Sequence, residues 1–377
     1  MSLTDIPIIS ADSHMIEPPE MWSERVAPTY RDRAPKLVRG LDGRDAEFFT
    51  CENISPFPVA GFFGAGVRSR ELGEHAKKGF AAAPACARDP QARLADQDRD
   101  GVVGEVLYTS MGMPLYHLDD AGLRAALFTA YNDWLADYCS YAPERLIGQG
   151  LITMEDIPAA VAELTRIAAK GLRGAMIWAG TPDDRPYSHA DYDPFWAAAA
   201  DLEMPLSLHI LTGRKGSGIN FNQAVLSAVT LHHEIQETLA IMALGGVFER
   251  HPGLRIVSAE NDVGWIPHFL NRVDMCYKRL RFTDRSLPEL GSLPSEQMKR
   301  QVFATFVNEP VAMGMMDWYG PDNIMWSSDY PHTASTWPRS QELMAKMFDG
   351  LSDDAVRKIV HDTVSRVYRI ASISAPS

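Results

Sequence analysis

The sequence predicts an α/β fold in which eight short strands alternate with helices and close into a parallel barrel. Three observations predict it. Short β-branched runs recur with longer helical patterns between them, cap and stop residues punctuate the alternation, and no repeat or low-complexity linker divides the chain.

Taken in order, Ile6 to Ala11 (IPIISA) reads as the first strand and Val102 to Leu107 (VVGEVL) as the second. An Ala/Leu-rich helix follows to about Tyr141, carrying Trp134 and Leu135. Leu146 to Ile152 is the third strand, and Ile157 to Lys170 is an amphipathic helix stopped by Gly171. Leu172 to Trp178 is the fourth, followed by a helix from Asp193 to Leu202 opened by Asp193-Pro194, a preferred cap and first-turn pair. Leu206 to Leu211 is the fifth, with a long helical pattern over 223–250 behind it. Leu254 to Ala259, Val302 to Val307 and Ile324 to Ser327 complete the set, and a closing helix runs from about Asp353 to Tyr368.

Two stretches stand outside this repeat. Residues 17–98 are rich in Pro, Gly and charge, and residues 281–300 are irregular. The first is an excursion after strand one, hence at the carboxyl end of the barrel where active sites lie, so it is expected to act as a lid or subunit contact on a single domain spanning 1–377.

Composition narrows the function classes. With 36 Lys+Arg against 49 Asp+Glu the net charge is −13, which argues against a nucleic-acid partner held through phosphates. No apolar run approaches the ~20 residues of a membrane span. The four cysteines, Cys51, Cys86, Cys139 and Cys276, form no CxxC pair, and the first residues carry no basic and apolar leader pattern, so a cytoplasmic protein with reduced thiols is expected.

Chemistry is expected where polar residues interrupt the strand ends. Strand one runs into Asp12-Ser13-His14, and alternation along an extended chain points Asp12 and His14 the same way. Strand five ends in His209, strand six in Glu260-Asn261-Asp262, and strand eight in Ser328-Asp329. In a closed barrel these ends meet at one mouth, where ionisable groups need a partner. Asp12, His14, His209 and Asp329 form a two-nitrogen, two-oxygen set that suits zinc, with iron or manganese as alternatives. Glu260 is a further ligand or a general base, and His332, three residues past Asp329, is a proton or hydrogen-bond donor. His233, beside His232, is a substrate-contact candidate. The Gly-rich stretch after His209 offers Arg214 and Lys215 to an anionic substrate, although it lacks the P-loop arrangement.

The segments IISADSHMIEPPEMW, PLSLHI, GGVFERHPGLRIVSAENDVGWIP and IMWSSDYPHTASTWP together resemble the amidohydrolase-related family of metal-dependent hydrolases and decarboxylases, over almost the whole chain. The resemblance implies a distorted (β/α)8 TIM-like barrel, metal ligands at Asp12, His14, His209 and Asp329, and a homodimer. Many members carry His-x-His on strand one, where this chain has Asp12. Decarboxylating relatives typically present a strand-six His, where this chain has Glu260. Strand four ends at Trp178, here assigned to substrate binding, rather than at the Lys or Glu that bridges two ions in binuclear members. One ion is therefore expected, with a second held partly by Glu260 as the alternative.

The reading preferred on the sequence is a hydrolase of an amide, ester or thioester of a carboxylic acid, an acyl-CoA included. A metal-activated water attacks the carbonyl, with Asp329 orienting or deprotonating that water. Non-oxidative decarboxylation of an aromatic or unsaturated acid is the alternative, against which the missing strand-six His counts. A catalytically silent, ligand-binding barrel is the third reading.

Overall fold

A computed structural model describes residues 3–213, 226, 229–230 and 232–371. The first strand, β1 (Ile8–His14), is buried along its whole length. The chain then leaves the barrel, and β2 (Lys36–Arg39), β3 (Glu47–Cys51) and β4 (Ile54–Pro58) pair as a small antiparallel sheet. A helix, Pro90–Asp100, ends at the left-handed Gly101 and leads back into β5 (Val102–Tyr108).

The barrel continues through β6 (Leu146–Leu151), β7 (Gly174–Ile177), β8 (Leu206–His209), β9 (Ile256–Ala259), β10 (Val302–Phe306) and β11 (Ile324–Trp326). Its order is β1-β5-β6-β7-β8-β9-β10-β11, and all its ladders are parallel. Eight parallel strands with helices between them make the TIM-like α/β barrel expected from the sequence. The seam between β1 and β11 is closed past the end of β11, by Asp329 N–H to Asp12 O at 3.0 Å and His14 N–H to Tyr330 O at 2.7 Å.

Local chemistry sets the connecting helices. Asp120 caps Ala121–Cys139 and Asp156 caps Ile157–Ala169, each accepting first-turn amides. Gly148 and Gly150 on β6 let the helices close in: an added Cβ would stand 2.9 Å from Leu135 at the first and collide with Ile167 at the second. Burial of side chains such as Leu135, Ile167, Met176, Leu208 and Val257 contributes about 1.5–3 kcal/mol apiece.

Several elements differ from expectation. Asp193 lies inside its helix, Asp193–Asp201, and its carboxylate pairs with Arg250 at 3.0 Å and His251 at 2.9 Å instead of capping. The 281–300 stretch ends in a helix, Pro294–Gln301. The closing helix is interrupted by a π-helical turn, Lys358–Asp362, that brings His361 Nδ1 within 2.8 Å of Pro7 O. No described helix is long and apolar enough to cross a membrane.

Candidate metal centre

The carboxyl ends of β1, β8, β9 and β11 bring the acidic and imidazole side chains together. A register shift between Ser10 and Ser13 bends β1 against β5. Asp12 and His14 then face the barrel mouth, while Ser13 turns away, its Oγ 2.9 Å from Ser10 Oγ and 3.0 Å from Ser328 Oγ. His14 Nε2 lies 3.4 Å from Asp12 Oδ1, 3.6 Å from Glu260 Oε2 and 3.5 Å from Asp329 Oδ1. His209 Nε2 lies 3.6 Å from both Asp12 Oδ1 and Glu260 Oε2.

These separations exceed hydrogen-bond length. Asp12 Oδ1, His14 Nε2, His209 Nε2 and Asp329 Oδ1 are all buried without a hydrogen-bond partner among the described residues. A single orphaned buried polar atom costs about 1–3 kcal/mol, so four that face one another require a common partner. The donor atoms of Asp12, His14 and His209 lie within 4.8 Å of one another, as do those of His14, Glu260, Asp329 and His332. A divalent cation fits this set of imidazole nitrogens and carboxylate oxygens.

The outer contacts prepare the same centre. His14 Nδ1 is 2.9 Å from Thr109 O, and His209 Nδ1 is 2.9 Å from Ile210 O. A carbonyl accepts only, so each Nδ1 carries a hydrogen and each Nε2 points inward, where it can ligate once it has given up any proton of its own. Thr305 Oγ1 donates to Asp12 Oδ2 at 3.0 Å and accepts the Glu260 amide at 2.8 Å, tying β10 to both acids. Burial pushes the Asp12 carboxyl up, but the His209 and His14 imidazoles outweigh it and hold it below the usual range. Burial pushes Asp329 up to about 7, with His14 pulling against it. Burial opposes charge on His14, yet Asp12 and Glu260 raise it well above the ordinary imidazole value. Such opposed shifts mark carboxylates and imidazoles crowded at one point.

The backbone is strained at the same place. Leu211, Glu260, Asp262 and Asp329 adopt left-handed φ of 71°, 55°, 54° and 56°, a conformation costing about 1–2 kcal/mol for residues with a Cβ. His332 stacks on His14 at 3.9 Å and places Nε2 2.8 Å from Ser110 Oγ. Its Nδ1 sits 2.9 Å from Asp329 Oδ1, outside hydrogen-bond alignment. Burial, and then His14, push His332 well below the ordinary imidazole value.

Asp12, His14, His209, Asp329, Glu260 and His332 are thus brought together. Trp178 is not: its indole N–H donates to Tyr116 O at 3.1 Å and its ring lies under Arg124. His233 is exposed, whereas His232 is half-buried on the side of Asp262. Arg214 and Lys215 lie outside the described residues. Sequence reasoning missed Ser110, Thr305 and Glu17, whose buried carboxylate accepts from Thr109 Oγ1 and from the Ser110 and Met111 amides. Thr109-Ser110 is a polar interruption at the end of β5, the same signal that marked the other strands.

Residues 83–370 match the family described as amidohydrolase. The chain belongs to the amidohydrolase family. Within 157 residues it is 34% identical to a gamma-resorcylate decarboxylase of Rhodococcus jostii, covering 38% of this chain and 47% of that protein. A gamma-resorcylate decarboxylase of Polaromonas is 26% identical over 212 residues, 53% of this chain and 64% of that one. The chain therefore spans less than two thirds of the length of either relative. A solved amidohydrolase from Mycobacterium avium subsp. paratuberculosis shares the fold with a TM-score of 0.78 at 22% identity, covering 97% of this chain and 99% of that one. So does a 5-carboxyvanillate decarboxylase from Novosphingobium aromaticivorans, solved with manganese and a nitrobenzoic acid, with a TM-score of 0.71, 19% identity and 97% coverage of each chain.

These relatives correct the preferred reading of the sequence. The Rhodococcus and Polaromonas proteins are decarboxylases, so hydrolysis of an amide, ester or thioester is overturned in favour of the alternative. The chain has no His at the end of β9, where Glu260 faces the cluster instead.

Proposed function

We propose that this amidohydrolase-family chain is a metal-dependent, non-oxidative decarboxylase of an aromatic carboxylic acid. The observation that carries the proposal is the convergence of four orphaned donor atoms, those of Asp12, His14, His209 and Asp329, in a chain whose relatives are decarboxylases. These four residues would hold one divalent ion, and Glu260, 26% exposed, lies on their solvent side. The manganese in the Novosphingobium neighbour favours manganese over zinc. Bound there, the ion supplies positive charge that offsets the buried carboxylates and polarises a substrate oxygen.

Asp329, whose carboxyl burial pushes towards the neutral form in the ion-free site, is assigned the proton transfer. It delivers that proton to the ring carbon bearing the carboxylate; the C–C bond then breaks, its electron pair restores the aromatic ring, and CO2 leaves. His332 orients the Asp329 carboxyl, and Ser110 fixes the His332 ring. On the solvent side His232, rather than the exposed His233, faces Asp262 beside Glu260. On the sequence grounds given above, Arg214 and Lys215 are assigned to the substrate carboxylate.

The 17–98 segment covers the mouth of a single domain. Phe62 packs edge-on against His332 at 5.3 Å, Thr333 Oγ1 donates to Gly61 O at 2.8 Å, and the Ala65 amide donates to Pro331 O at 3.0 Å. An apolar ring beside His332 excludes water and offers a face to an aromatic substrate. A homodimer in the cytoplasm completes the proposal, supported by exposed Phe282, Val311 and Trp318 and by four unpaired cysteines.

The test is to incubate manganese-loaded protein with hydroxybenzoic acids, 2,6-dihydroxybenzoate and 5-carboxyvanillate among them, and to measure CO2 and the decarboxylated phenol. Stoichiometric release of both is expected. Protein that binds these acids and releases no CO2 overturns the proposal.

A further inference from the structure

The helix Pro90–Asp100 has the sequence PQARLADQDRD and reads as a solvent-facing, charged helix, yet its buried face is polar: Arg93, Gln97 and Asp100. Arg93 is fully buried. Its Nε donates to Glu105 Oε2 at 2.5 Å and its Nη2 to Glu105 Oε1 at 3.0 Å, a forked pair anchored on β5. The remaining donors leave that pair. Nη1 reaches His14 O at 2.7 Å and Nη2 reaches Tyr330 O at 3.2 Å. The guanidinium also lies 4.8 Å from the centre of the Tyr330 ring.

His14 ends β1, and Tyr330 follows Asp329 after β11. Those two strands meet where the barrel closes, with few backbone bonds between them. Tyr330 O already accepts the His14 amide at 2.7 Å, so Arg93 fills its second lone pair. The same helix holds the strand-eleven loop at further points: Tyr330 Oη donates to Asp96 Oδ2 at 2.6 Å, and Trp337 Nε1 donates to Asp96 O at 3.1 Å. One side chain therefore ties the excursion after β1 to the backbone of His14 and of Tyr330, the residue after Asp329.

We propose that Arg93 is a positioning residue for the metal: anchored by Glu105, it sets the spacing between His14 and Asp329 across the barrel seam, so ion affinity depends on it although it touches neither ion nor substrate. The inference rests on the metal reading of the preceding subsection. A forked guanidinium is required, because a lysine ammonium opposite Glu105 lacks the planar reach to both carbonyls.

The test compares Arg93→Lys with the charge-removing pair Arg93→Met/Glu105→Gln, which leaves no lone buried carboxylate and keeps an acceptor for Gln97. In metal-free protein, folding is read by circular dichroism and thermal melting, and Mn2+ affinity by calorimetric titration. Both variants are expected to fold and to bind Mn2+ at least tenfold more weakly than wild type, with kcat falling at saturating metal and substrate while KM moves little. A folded variant with wild-type Mn2+ affinity overturns the proposal. Wild-type protein that binds no divalent ion overturns the metal reading and this inference with it; wild-type binding matched by the variants overturns this inference alone. Hydrogen exchange on the wild type gives a readout without substitution. Mn2+ is expected to slow exchange in residues 90–100 as well as around His14 and Asp329, and unchanged exchange in 90–100 overturns the coupling.

Discussion

At the amino-terminal end of the barrel, Asp100 accepts from the Ser340 amide at 3.0 Å and from its hydroxyl at 2.5 Å, and Arg145 Nε donates to Val103 O at 2.9 Å. Gln301 Nε2 donates there to His251 O at 2.8 Å and Leu254 O at 3.2 Å. At the carboxyl-terminal end, four buried donor atoms face one another unbonded, and four non-glycine residues hold left-handed backbone. The contrast lies in charge: Gln97 Oε1, an uncharged amide oxygen, lacks a partner at the amino-terminal end, whereas the unbonded atoms at the carboxyl-terminal end belong to ionisable groups that face one another. Unsatisfied charge persists only where surrounding structure fixes it, and here it gathers where the proposed ion would bind.

The largest expected effect breaks the carboxyl-terminal end. Asp329→Asn is expected to lower turnover by at least ~10³-fold by removing the proton carrier, while the metal-free protein melts no lower than wild type because a desolvated carboxyl is lost. Activity assays and thermal melting on the same preparation check both halves. Next, chelation is expected to abolish activity and lower the melting temperature by several degrees, both recovering on Mn2+ addition; a site held at 1,000 times its Kd contributes about 4 kcal/mol. A melting curve indifferent to chelator would show that the orphaned atoms hold no ion.

A smaller effect sharpens the contrast from within. Thr305→Val removes the donor to Asp12 Oδ2 and the acceptor of the Glu260 amide, and is expected to cost about 1–3 kcal/mol of stability and roughly 10–100-fold in metal affinity, read by denaturant titration and calorimetry. The smallest concerns the opposite end. Burial raises Asp100 to about 6 against an ordinary 3.8, the Ser340 donors pulling the other way. Its protonated form therefore adds stability that is complete below pH 3.8 and is lost as pH rises through 6. Asp100→Asn is expected to raise the melting temperature at pH 7, with the difference from wild type shrinking towards pH 5 and catalysis unchanged.

Much of the centre was legible because strands alternate and barrels gather their carboxyl ends. Asp12, His14, His209, Glu260 and Asp329 were marked by that rule alone. Ser110 escaped although it obeys it, because the polar residues after β5 were not weighed with the others. Thr305 and Arg93 were illegible: a threonine within a strand and an arginine on a charged helix carry no sign of what they face. His232 and His233 differ by one position, and helix rotation, not residue type, decides which is half-buried. The choice of decarboxylation over hydrolysis came from relatives, since both chemistries use one donor set.

The sequence by itself determined the eight-stranded alternation, the strand-end acids and imidazoles and the excursion after strand one, because period, caps and residue chemistry are local properties. Only the tertiary structure decided that four donor atoms lack partners, that both imidazoles present Nε2 inward, and that a buried arginine closes the seam. Those facts depend on groups from opposite ends of the chain meeting within a few ångströms, and no local pattern encodes such distances.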